Sequence, residues 1–151
     1  MEIKTYLKSL SFLHLSLVAG VALFTIFAVS KVQRFDTANG QGNVLLYAVP
    51  VVALIGYFGS QFIFKKLLSS LKNTDSLEDK LKKFQSASLV KYAFIEAPTF
   101  LALFIYYSSG NALPLVIALC LLAYLYVQKP NKERIIKSLP LTSEEVRTLQ
   151  Q

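Results

Sequence analysis

The chain is predicted to be all-α: an integral-membrane four-helix bundle with both termini inside and its second and third spans prolonged as a cytoplasmic helical hairpin. Three observations predict this. The 151 residues are 54% hydrophobic with a mean hydropathy of +0.47, outside the usual soluble range. Ser9 to Ser30 and Thr37 to Phe64 carry no charge, and Tyr92 to Gln128 carries only Glu96, so each reaches the ~20 apolar residues of helix that cross hydrocarbon. Basic residues, finally, crowd into alternate connections.

The first span is expected over 9–30. Lys4 and Lys8 before it and Ala28-Val29-Ser30 at its end resemble a signal peptide, but signal cores run ~7 to 15 apolar residues, and this longer run reads as an uncleaved anchor. The second span is expected over 44–64. The third apolar stretch is too long for one crossing and is broken by Ser108-Ser109-Gly110-Asn111 and then Pro114. A proline suits the first turn of a new helix, which gives spans over 89–108 and 112–128. None of the four has the polar face that a soluble bundle requires. Residues 1–128 thus form the transmembrane domain and 129–151 a cytoplasmic tail.

Between spans two and three, Leu77, Leu81, Phe84 and Ser88 recur at spacings of four, three and four, one stripe on a helix. Phe64, Leu67, Leu68 and Leu71 prolong span two, and Asn73-Thr74-Asp75-Ser76 supplies a turn with Asp75 or Ser76 as N-cap. The hairpin 65–88 follows from pairing these two stripes. In the tail, Lys129-Pro130-Asn131 ends span four and starts a short helix with Ile135, Ile136 and Leu139 opposite Lys132, Arg134 and Lys137; such a helix is expected to lie on the inner membrane surface. Thr142 and Glu145 have capping-box spacing. Small residues at Ser16 and Gly20, and at Gly56 and Ser60, predict a close contact between spans one and two.

The net charge of +7 is a matter of orientation. With both termini inside, fourteen basic residues lie inside and two, Lys31 and Arg34, outside, a positive-inside bias that makes nucleic-acid binding an unneeded hypothesis. Lys65, Lys66, Lys129, Lys132, Arg134 and Lys137 are the expected contacts to anionic headgroups of the cytoplasmic leaflet. Tyr47, Tyr106 and Tyr107 at outer ends, and Tyr6, Tyr92, Tyr124 and Tyr126 towards inner ends, fit interfacial aromatic belts.

The chemistry on offer is sparse. One histidine, one cysteine inside span four and no glycine-rich loop give no metal cluster, no disulfide framework, no cofactor site and no nucleophile with its base, so catalysis is not expected. Glu96 is the one acid within a span, and an intramembrane carboxylate should face the bundle or water and have a partner. Counting ~1.5 Å per residue from the inner borders sets His14, Gln61 or Ser60, and Tyr124 at the depth of Glu96, an expected polar layer. Pro98 adds a break, because it cannot donate to the carbonyl of Phe94. The layer serves either as an interhelical hydrogen-bond cluster or as a proton or cation site.

Lys91-Tyr92-Ala93-Phe94-Ile95-Glu96-Ala97-Pro98, the Leu81 to Gln85 run, Ser109-Gly110-Asn111 and Lys129-Pro130-Asn131-Lys132-Glu133 resemble a family of small, uncharacterised four-span bacterial membrane proteins. The resemblance implies a multi-pass protein of the bacterial inner membrane and brings no activity with it. Ala93 to Glu96 is also similar to the ion-carrying helix of rotary ATPase proteolipids, but Pro98 and the lack of a glycine-rich partner helix beyond Gly56 and Gly59 depart from that pattern, and the likeness reads as convergent. The expectation is a non-catalytic scaffold or accessory subunit meeting lipid headgroups, a protein partner or further copies of itself; the alternative is a proton-, ion- or small-solute-coupling transport component using Glu96.

Overall fold

The structure, a computed structural model, describes residues 3–33 and 44–150; Arg34 and the rest of the first connection lie outside the described residues. Six helices make up the described chain, with no strand: α1 (Ile3–Lys31), α2 (Val44–Leu68), α3 (Leu77–Ser109), α4 (Ala112–Val127), α5 (Lys132–Ser138) and α6 (Ser143–Gln150). Three of them, α1, α2 and α3, are long and apolar enough to cross a membrane. At 16 residues, α4 is about 24 Å long, and it makes a fourth candidate only when joined to α5, to which it is bent by 88°.

Local signals set the boundaries. Ser76 caps α3, accepting from the amide of Asp79 at 3.2 Å, and Gly110 ends that helix at φ 69°, the left-handed conformation glycine adopts without a Cβ penalty. Asn111 then caps α4 through the amide of Leu113 at 3.0 Å, and Asn131 caps α5 through that of Arg134 at 2.8 Å. Thr142 and Glu145 form the expected reciprocal box.

Around α3 pack α1, α2 and α4, and α4 also touches α1 and α2. One apolar core, including Val21, Ala53, Ile95, Leu103, Ala118 and Leu125, runs along the long helices. A second, including Tyr6, Leu10, Leu68, Leu81, Phe84, Ile135 and Leu149, gathers where α1 and α3 begin and α2 ends, together with α5 and α6. Outward faces carry exposed Phe12, Leu23, Leu54, Phe58, Phe62 and Phe104, an apolar exterior far beyond what a water-soluble monomer presents.

Three expectations need correction. The small-residue face of α2 meets α3 rather than α1: a Cβ on Gly56 would run into the Pro98 ring and stand 2.6 Å from the carbonyl oxygen of Phe94. Lacking a Cβ, Gly56 can approach both the ring and the carbonyl that Pro98 leaves without its helical donor. Ser16 and Gly20 look outward, with nothing within 4 Å of a Cβ on Gly20. The apolar side of α5 is not free to lie on lipid, since Ile135 is fully buried in the second core; side chains already gathered at that end offer it more complete burial than an interface does. Nor do Tyr6, Tyr92 and Tyr106 sit in an interfacial belt; all are buried, and the hydroxyls of Tyr6 and Tyr92 donate to the carbonyls of Leu81 (2.8 Å) and Gln128 (3.2 Å).

Candidate functional site

The polar side chains concentrate at the end of the long helices that carries α5 and α6. Those expected to form one layer lie in separate groups. His14 is buried and its Nε2 donates to the carbonyl of Leu125 at 2.8 Å; its ring meets that of Tyr92 edge-on, centroids 4.9 Å apart. Gln61 donates to the Tyr124 hydroxyl at 3.3 Å, and the Tyr124 ring leans on Tyr57. Ser60 is fully buried and donates within its own helix to Tyr57 at 2.7 Å.

Glu96 is half-buried and has no hydrogen bond or ion pair among the described residues. Phe94 and Pro98, two residues to either side of it, face Gly56 of α2. Side chains two apart on a helix diverge by about 200°, so Glu96 points away from the helix that carries Gln61 and Ser60.

Basic residues form the second part of the site. Lys65, Lys66, Lys129 and Lys137 are exposed, whereas Lys132 and Arg134 are half-buried. Arg134 donates to the carbonyl of Val127 at 2.7 Å and to Oε1 of Gln128 at 2.6 Å, a cation closing the carbonyl end of α4 where the helix dipole is negative. The same Gln128 oxygen accepts from Lys91 at 2.7 Å, and the Lys91 ammonium stands 4.8 Å from the centre of the Phe64 ring, within cation–π range. Two cations therefore converge on one neutral oxygen. A cavity of about 630 Å³ opens beside them, lined by Gln61, Lys65, Lys91, Tyr124, Lys137 and Ser138 among others.

Two ion pairs occur among the described residues, Lys80–Glu145 at 2.9 Å and Lys82–Glu78 at 2.8 Å. Lys80 is completely buried and its ammonium also donates to the carbonyl of Asn73, so it ties the α2–α3 turn to α6. Burial alone would raise the Glu145 carboxyl, but the amide and hydroxyl of Thr142 and the ammonium of Lys80 outweigh it and hold that carboxyl below its ordinary value.

The sequence places Lys80, Lys91 and Tyr92 at this end but does not give their partners, and it assigns Gln128 no role. Lys91 and Gln128 had a usable signal, since each is the polar residue that closes an apolar run on the same side. Lys80 had none; it is one lysine among several, and its partner lies 65 residues away. No group of three or more His, Cys, Asp or Glu suited to a metal ion occurs among the described residues. No family model matches the chain, and neither a curated protein nor a solved structure matches it.

Proposed function

We propose that this is a multi-pass protein of the bacterial cytoplasmic membrane, with four spans and both termini inside, that works as a non-catalytic scaffold or accessory subunit. Its inner end, the α2–α3 hairpin with the docked tail, meets anionic headgroups and a protein partner or a second copy. The observation that carries this reading is the build of that end: α5 and α6 are held by the ion pair of fully buried Lys80 with half-buried Glu145 and by an apolar core, while Lys65, Lys66, Lys129 and Lys137 are turned outward. A folded surface of fixed shape, on which outward-turned lysines outnumber the exposed acids Glu78, Asp79, Glu133 and Glu144, suits recognition of an acidic partner or leaflet.

Extraction in mild detergent after cross-linking tests it. The expected result is a stoichiometric complex, with another protein or with itself, that Lys129→Glu with Lys137→Glu disperses; a solitary chain, before and after the exchange, contradicts the reading. A second reading, ion coupling through Glu96, is favoured by one observation, the absence of any partner for that carboxyl among the described residues. Proton flux into vesicles reconstituted with the full chain, abolished by Glu96→Gln, supports it, and equal flux with and without the protein rejects it.

A further inference from the structure

The geometry points to a binding site for the phosphate group of an anionic phospholipid in the cavity between α2, α3, α4 and α5, with an acyl chain lying in the cleft between α2 and α4. The inference rests on the proposed function, that this end of the molecule faces a negatively charged leaflet, and narrows it from a charged surface to one built site.

The cationic half comes first. Lys65, Lys91 and Lys137 contribute to one cavity of about 630 Å³ without a carboxylate in its lining, alongside the polar side chains of Gln61, Tyr124 and Ser138. Neither ion pair among the described residues involves any of these lysines. Lys91 is anchored, by Gln128 on one side and by the Phe64 ring on the other, and an ammonium has three protons to donate. The Arg134 guanidinium reaches the same Gln128 oxygen, so like charges are brought together with only a neutral amide between them. An anion at this place relieves that repulsion, and lysine and tyrosine donors suit the oxygens of a phosphate.

The apolar half is an independent observation. A second cavity, of about 430 Å³, is lined by Pro50, Ala53, Leu54, Tyr57, Ile117 and Cys120, with Leu121 and Tyr124. Tyr124 lines both cavities. The two thus meet at one tyrosine, and together they extend along α2 from Pro50 to Lys65, about 22 Å of helix axis. A polar, cationic chamber leading into an apolar cleft at its membrane side has the form of a lipid, headgroup first. A free phosphate ion or a soluble phosphate ester fits the chamber alone and makes no use of the cleft.

Native mass spectrometry of the full chain in detergent tests this, with phosphatidylglycerol and phosphatidylcholine of identical acyl chains, and inorganic phosphate, as the three probes. One phosphatidylglycerol should be retained per chain in clear preference to phosphatidylcholine. Lys91→Gln with Lys137→Gln should weaken it about tenfold or more, the effect of losing charge-assisted bonds. Should the double variant fail to fold, Lys137→Gln alone, at an exposed position, should still weaken retention. Cys120→Phe, which fills the cleft from an exposed position, should weaken the lipid as well. Equal retention of the two lipids, or lysine variants that keep the wild-type preference, overturns the site. Retention of inorganic phosphate that Cys120→Phe leaves unchanged, without preferential retention of phosphatidylglycerol, overturns the lipid as occupant. Thiol labelling of the same chain in cells reports its orientation separately, so a failed lipid assay with an inward-facing α5 refutes this site and leaves the broader reading standing.

Discussion

Lys80 is fully buried, an arrangement tolerated because both Glu145 oxygens, at 3.0 and 2.9 Å, and the Asn73 carbonyl, at 3.1 Å, accept from its ammonium. Removing one partner of a buried pair costs more than replacing both, since it leaves an uncompensated charge. Glu145→Gln should therefore destabilise the fold by about 3 kcal/mol, and Lys80→Met with Glu145→Leu should recover much of it; thermal unfolding in detergent measures both. A pH dependence follows from the depressed Glu145 carboxyl. Its contribution is complete above the ordinary value of 4.5 and is lost as the pH falls through the lower folded value. The stability difference between wild type and Glu145→Gln should then be constant above about pH 5 and shrink with further acidification, which unfolding curves at a series of pH values will show. Caps at Ser76, Asn131 and Thr142 were legible in the sequence because each depends on residues within three positions. The Lys80 pair was not, because nothing in its neighbourhood distinguishes it from exposed Lys82 or half-buried Lys83.

At the scale of elements, the α2–α3 pair is held in two ways. In the long core Gly56 lets α2 settle against Pro98, a contact of shape. Gly56→Ala should cost about 1–3 kcal/mol through overpacking against a rigid ring and a backbone carbonyl, and thermal unfolding with Gly20→Ala as control will show it, because Gly20 has open space around it. At the other end Leu81, Phe84 and Leu68 pack with Tyr6, Ile135 and Leu149, where each buried side chain contributes ~1.5–3 kcal/mol. Leu81→Asp should loosen that core, and amide exchange of α5 and α6 should rise with that of the hairpin; an α5 that stays protected contradicts their joint packing. The stripe of Leu77, Leu81 and Phe84 was readable from its spacing, yet its full set of partners was not. Periodicity gives the face a helix buries and is silent on which distant segment covers it, and here α1 and the tail share that role with α2.

For the whole molecule, helix lengths and polarity place the apolar exterior on α1 to α4 and the charged, folded end on α5, α6 and the α2–α3 turn. Hydropathy made the helices, and their being long and apolar enough to cross a membrane, legible, while the candidate site was only partly so: the depth count brought out His14, Gln61 and Tyr124, but the direction each side chain takes depends on helix rotation, and Glu96 points away from α2 because Phe94 and Pro98 occupy that face. The charged end is proposed to lie inside the cell. Single cysteines at exposed Thr74, Glu133 and Ser108, each in a Cys120→Ser background, test it most directly with a membrane-impermeant thiol reagent on intact cells. Labelling is expected at position 108 in intact cells and at 74 and 133 only after permeabilisation; labelling of 74 or 133 in intact cells, or protection of 108, would contradict an inward-facing charged end.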